Sequence, residues 1–69
     1  MNHMETQNKQ ILNWLKLGRS ITGMTALEQF GCWSLPRRIC DLKEAGHNID
    51  SQFIKLDNGK RIKEYWINE

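Results

Sequence analysis

The apolar residues of this chain change their spacing at Gly46: before it they recur every three or four positions, and after it they alternate. The first spacing lines up side chains on one stripe of a helix and the second on one face of a strand, so the sequence predicts helices first and a hairpin last. Within the helical part, the run from Ile21 to Gly46 reads as two short helices joined by a tight turn. Thr22 is placed to cap the first, Ile21 to pack against it as a staple, and Leu27 and Phe30 to supply its buried face. Gly31 permits the sharp backbone turn that ends it. Ser34 is a second N-cap, and Pro36 falls in the first turn, where a missing N–H costs nothing. The second helix therefore runs from Leu35 to Ala45, with Leu35, Ile39 and Leu42 on one stripe and Gly46 as a left-handed cap. Two helices joined by a short glycine-containing turn form the unit that lays its second helix in a DNA major groove.

Another helix precedes them. Ile11, Leu12 and Leu15 share a stripe over about Thr6 to Leu17, Trp14 flanks it as a core-edge residue, and Gly18 ends it. The polar residues up to Glu5 are expected to fray. Arg19 to Ile21 reads as a short extended piece. Beyond Gly46, Ile49–Leu56 and Arg61–Ile67 flank Asn58-Gly59, the strongest short-range hairpin signal. Two registers compete. A two-residue turn pairs Asp57 with Lys60 and splits the apolar residues, with Phe53, Ile62 and Trp66 on one face and Ile54, Leu56 and Tyr65 on the other. Slipping by one residue, through a three-residue loop or a bulge, gathers Ile54, Leu56, Ile62 and Trp66. Because a buried face fixes register, the second arrangement is favoured, with Phe53, Lys55, Arg61, Lys63 and Tyr65 opposite. The order helix, short strand, helix, helix, hairpin makes an α+β fold, a winged helix-turn-helix of three helices and a small antiparallel sheet. Its C-terminal β-hairpin, over 53–65, is the wing.

A chain of 69 residues has room for one small core, and such chains often need a staple. One domain is expected over 1–69, with its ordered core over about 6–67. Cys32 and Cys40 are the only cysteines and His3 and His47 the only histidines, in spacings that match no zinc template, so no metal or cofactor is expected. Eight positions separate the cysteines, which suits inert thiols in a reducing compartment better than a bridge. There is no apolar run long enough to cross a bilayer and no secretory signal, which points to the cytosol. Catalysis has no support: no nucleophile has a base and an orienting partner, and no glycine-rich phosphate loop is present.

The run SITGMTALEQFGCWSLPRRICDLKEAGHNI, followed by NGKRIKEYWI, resembles the small winged helix-turn-helix domains often encoded by bacteriophages and prophages. Their pattern joins a helix cap, A-L-x-x-F-G, R-I-x-D-L-x-x-x-G-x-x-I and a terminal wing, and the match extends from about Gln10 to Ile67. The resemblance implies double-stranded DNA as partner in a bacterial or phage regulatory setting, hence in the cytosol of a bacterial or phage-infected cell. Trp33 departs from the smaller or polar residue expected in that turn.

The net charge of +2 does not by itself argue for nucleic acid. From Ser34 to Trp66, however, seven basic residues face five acidic ones. A helical wheel centred on Leu35, Ile39 and Leu42 puts Arg37, Cys40, Asp41 and Glu44 outward, with Arg38 and Lys43 at the edges. Ser34 and Arg37, on the turn that can reach bases, are the candidates for a groove contact, since a guanidinium can donate twice to a guanine edge. Arg38 is placed either for a phosphate or for an intrahelical pair with Asp41. Thr22 and Thr25 can offer hydroxyls and N–H groups to phosphate, although capping explains Thr22 equally well. Lys55, Lys60, Arg61 and Lys63 on the wing suit phosphate or minor-groove contact, or guard an edge strand against aggregation. Trp33, half exposed in the turn, wedges the helix or anchors a protein. Asp41 and Glu44 on the presumed reading face argue against phosphates there. A protein-interaction module for a host or phage protein is therefore the second reading, an excisionase-like architectural DNA binder the third, and self-association as a dimer is compatible with each.

Overall fold

Ile11 and Leu15, one helical turn apart, have no exposed surface at all, and the rest of the chain is arranged around the stripe they form. In the computed structural model, which describes residues 3–69 and side chains from Thr6 onward, that stripe belongs to α1 (His3–Lys16). It is followed by β1 (Ile21–Thr22), α2 (Gly23–Phe30), α3 (Leu35–Glu44), β2 (Ile49–Lys55) and β3 (Arg61–Ile67). Helix α1 begins at His3, ahead of the expected Thr6; Met1 and Asn2, part of the end expected to fray, lie outside the described residues. The core joins Ile11 and Leu15 to Ile21, to Leu35, Ile39 and Leu42 of α3, and to Ile49 and Tyr65 of the sheet.

Helix α2 departs from expectation in what it buries. Ala26 is fully enclosed, while Leu27 and Phe30 are half-buried at its flanks. A small residue at the point of closest approach lets the helix sit deep, and the larger side chains then cover the seam. Phe30 meets Trp14 edge-on, with centroids 5.7 Å apart. Trp14 also donates its indole N–H to the Ser20 carbonyl (2.8 Å), and the Arg19 guanidinium lies 4.9 Å from its ring, so Trp14 holds the α1–β1 connection as a core-edge residue.

The three strands form an antiparallel sheet in the order β1-β3-β2. Ile54 pairs with Ile62 and Lys55 with Arg61, which is the slipped register. The loop has three residues: the Gly59 N–H donates to the Leu56 carbonyl (2.9 Å) and Gly59 takes φ +83°, a left-handed conformation that glycine adopts without penalty. The buried face, however, is not the expected one. Ile49 and Tyr65 enter the core, whereas Ile54, Ile62 and Trp66 are half-buried on the other side and Leu56 is exposed. The helices cover only the root of the hairpin. Its tip projects past them, so the apolar set gathered by the register is not the set that meets the core.

Two thiols remain free, Cys32 buried and Cys40 exposed. At the end of β3, Asn68 donates its N–H to Asn48 and its side-chain amide to Asp50 (2.7 and 2.8 Å), and the His47 ring bonds Glu69 at 3.0 Å. The bond to His47 holds the Glu69 carboxyl below its ordinary range. Burial pushes the Tyr65 phenol above its usual value. The folded protein therefore holds that proton more tightly than the unfolded chain. Stability from this group is full below the unfolded value near pH 10 and is lost as pH rises through the folded one. Urea unfolding should show an alkaline decline that Tyr65→Phe makes shallower.

Candidate nucleic-acid interface

A reading surface needs a helix end that projects, cations near it and few carboxylates between them. The first helix of the pair is locked at both ends. Thr22 accepts the Thr25 N–H on its hydroxyl at 3.2 Å, and the two threonine hydroxyls bond each other at 3.1 Å. Gly31, at φ +64°, ends α2 by donating to Leu27 (2.9 Å). The start of α3 differs from expectation: Ser34 occupies the N-cap, but its hydroxyl makes no cap bond. Its carbonyl instead accepts from Arg37 and Arg38 (3.1 and 3.2 Å), and the Ser34 side chain is left exposed. Thr22→Ala should therefore cost about 1 kcal/mol of stability. Ser34→Ala should stay within about 0.5 kcal/mol, and chemical denaturation of the two variants measures the contrast. At the other end of α3, Gly46 donates to Lys43 and His47 to Leu42, the Schellman pair that left-handed Gly46 allows.

Arg37 is exposed beside Ser34, and Trp33 is 85% exposed rather than half. With Gly31, Gln7 and Arg38 they border an open cleft of about 460 Å³. Arg38 is not at an exposed edge: it is buried, with Nη2 3.4 Å from the Asp41 carboxylate. Asp41 also accepts weakly from the Asn8 amide (3.4 Å). The intrahelical pair that the spacing allowed is formed, and it draws inward one of the two acids that spoke against a phosphate-facing helix. Lys43 is exposed six residues beyond Arg37, about 9 Å further along the helix, and borders neither this cleft nor the groove described next.

The register sorts the charges of the hairpin. Lys55, Arg61 and Lys63 lie on the same face as Ile49 and Tyr65, the face turned toward the helices. Two of them flank exposed Phe53, whose ring is 6.0 Å from the Arg61 guanidinium and 5.7 Å from the Lys63 ammonium. Lys60 directly follows the loop, its N–H held by the Asn58 side chain (3.0 Å). Asp50, Gln52 and Glu64 lie on the opposite face, where Glu64 bonds Ser20 (2.9 Å) and Gln52 (3.3 Å). Lys63 approaches the start of α3 across a groove of about 300 Å³ that it shares with Gly23, Met24, Leu35, Pro36, Ile62 and Tyr65. Sequence reasoning placed Phe53 beside these cations without counting it as a site residue, and it missed the groove. Period-two alternation exposes Phe53 once the register is known, but no sequence signal marks the groove.

Among the described residues, no group of three or more His, Cys, Asp or Glu side chains could hold a metal ion, and no helix is long and apolar enough to cross a membrane. No curated protein and no solved structure matches the chain. A family model described as a winged helix-turn-helix domain matches residues 6–69. With three helices, a three-stranded antiparallel sheet and a C-terminal hairpin, the chain belongs to the winged helix-turn-helix domain family, which is generally associated with DNA binding.

Proposed function

We propose that the protein is a double-stranded DNA-binding factor, of a transcriptional or phage regulatory kind, that works in the cytosol of a bacterial or infected cell. The observation that carries the reading is the sorting of charge on the hairpin. Lys55, Arg61 and Lys63 share the helix side, while Asp50 and Glu64 share the other. In this reading Ser34 and Arg37 enter the major groove. The wing cations with Lys60, helped by Thr22, Thr25 and Lys43, hold phosphates. Arg38, paired and buried, supports the turn rather than touching DNA.

A titration of labelled protein with a short random-sequence duplex, at low and then higher salt, tests the assignment by NMR. Shifts confined to Ser34–Lys43 and Lys55–Lys63 that fade with salt support it, because phosphate contacts do not depend on sequence. Their absence at low salt overturns it. Once a preferred site is known, Arg37→Ala should lose about 1 to 3 kcal/mol of discrimination at the contacted base pair. A single module covers only about 600 to 1,000 Å², so useful affinity requires a dimer or adjacent sites. The exposure of Trp33 favours a second reading, protein docking at the turn. Trp33→Ala leaves duplex affinity unchanged if that reading holds and weakens it if the ring lies against DNA.

A further inference from the structure

The groove between the start of α3 and the wing ends in an incomplete sheet edge. The bonds from Leu56 N–H to Lys60 and from Asn68 N–H to Asn48, both 2.7 Å, bracket the β2–β3 ladder and involve even-numbered residues. Antiparallel pairing alternates, so Ile62 and Glu64 bond toward β2, while Arg61, Lys63 and Tyr65 turn their N–H and C=O groups toward the β1 side. Strand β1 reaches only Tyr65 and Glu64, because the chain turns into α2 after Thr22. The Lys63 N–H and both main-chain groups of Arg61 therefore lie beyond the last strand partner. Beside them, the groove has a floor of Leu35 and Tyr65, with Met24 (63% exposed) and Pro36 as walls.

The charge around this edge has one sign. Lys63 borders the groove, Arg61 is next along the edge, and no acidic side chain lines it. Neither α2 nor α3, whose first turns contribute Gly23, Met24, Leu35 and Pro36 to it, carries an acid in its first turn. The geometry points to a docking site for an extended peptide of a partner protein, in which an apolar side chain flanked by acidic residues enters the groove. The peptide continues the line of β1: it pairs with Arg61 and Lys63 by strand addition, its apolar side chain covers Leu35 and Tyr65, and its carboxylates meet the two cations. An apolar floor favours such a peptide over a phosphate, whose oxygens would lose water there without replacement. The site goes beyond the DNA-binding reading and does not rest on it; because Arg61 and Lys63 serve in both, a bound peptide and a duplex exclude each other at these two cations.

The test uses the full chain without DNA and a short capped peptide in which one leucine, between β-branched residues, is flanked by aspartates. Amide exchange at Arg61 and Lys63 should slow by about tenfold or more at saturation, while the Ile62 and Glu64 amides, already bonded to β2, keep their rates. Lys63→Pro removes the outward N–H together with the ammonium, and should weaken binding by about tenfold more than Lys63→Gln, which removes the ammonium alone. Lys63→Gln keeps that N–H and should reduce the preference for the aspartate peptide over its asparagine analogue. Unchanged exchange at both edge amides overturns the proposal, as does equal binding of the asparagine analogue to the unsubstituted protein. Protection that appears with rising protein concentration alone assigns the edge to a second copy and overturns it too. None of these outcomes involves a duplex, so failure here and failure of the DNA-binding reading are separate results.

Discussion

Leu15→Ala is expected to lower the midpoint of thermal unfolding by about 10 °C or more, the largest stability effect of any single substitution considered. Leu15 has no exposed surface and stands on the α1 stripe against which Ile21 and the α3 residues pack. Removing its methyl groups loses the transfer free energy and leaves a cavity, together about 2 to 5 kcal/mol. A domain of this length has only roughly 3 to 10 kcal/mol to lose. No disulfide offsets the deficit, since both cysteines are free. Leu12→Ala, at a half-buried position on the same helix, should shift the midpoint much less. Circular dichroism melts of the two variants measure the difference, and equal shifts would mean that the core does not centre where the burial places it.

The second large effect concerns binding. Changing Lys55, Arg61 and Lys63 together to glutamine should weaken duplex binding on the order of a hundredfold near 0.1 M salt and reduce the slope of log affinity against log salt by about 2.7. The slope is the sharper readout, because each phosphate contact releases counterions whether or not the sequence is favoured. Asp50→Asn, on the opposite face of the same hairpin, should leave the slope unchanged. A triple variant that retains its fold and its slope would show that the cations of this face meet no phosphates.

The hairpin shows how far the sequence could be read. Asn58-Gly59 and the spacing of Ile54, Leu56, Ile62 and Trp66 led to the observed register, since a one-residue slip changes every partner. They did not reveal which face meets the helices, because that depends on where the hairpin crosses the bundle. Tyr65, counted among the outer residues, is nearly enclosed. Helix α2 makes the same point: hydrophobicity ranks Leu27 and Phe30 above Ala26, but close approach of two helices selects the smallest side chain. Caps were legible where one side chain suffices, as at Thr22, and not at Ser34, where a φ of −122° and ψ of 62° set the hydroxyl away from the helix N–H groups. Arg38 was legible only as an alternative. Its spacing to Asp41 allowed a pair, but its burial is a matter of tertiary packing, which no local pattern reports.

Thr22 belongs to two elements at once. It is paired with Glu64 in the sheet and it caps α2 through the Thr25 N–H. The root of the wing and the start of the helix pair therefore share one residue, with no linker to absorb a change of angle between them. On the proposed reading the molecule acts as a gauge, with the first turn of α3 as one jaw and the wing cations as the other. On the proposed reading, a duplex whose groove does not match the gap must itself bend or change width to meet both jaws, and stiff sequences are rejected at base pairs the protein never touches.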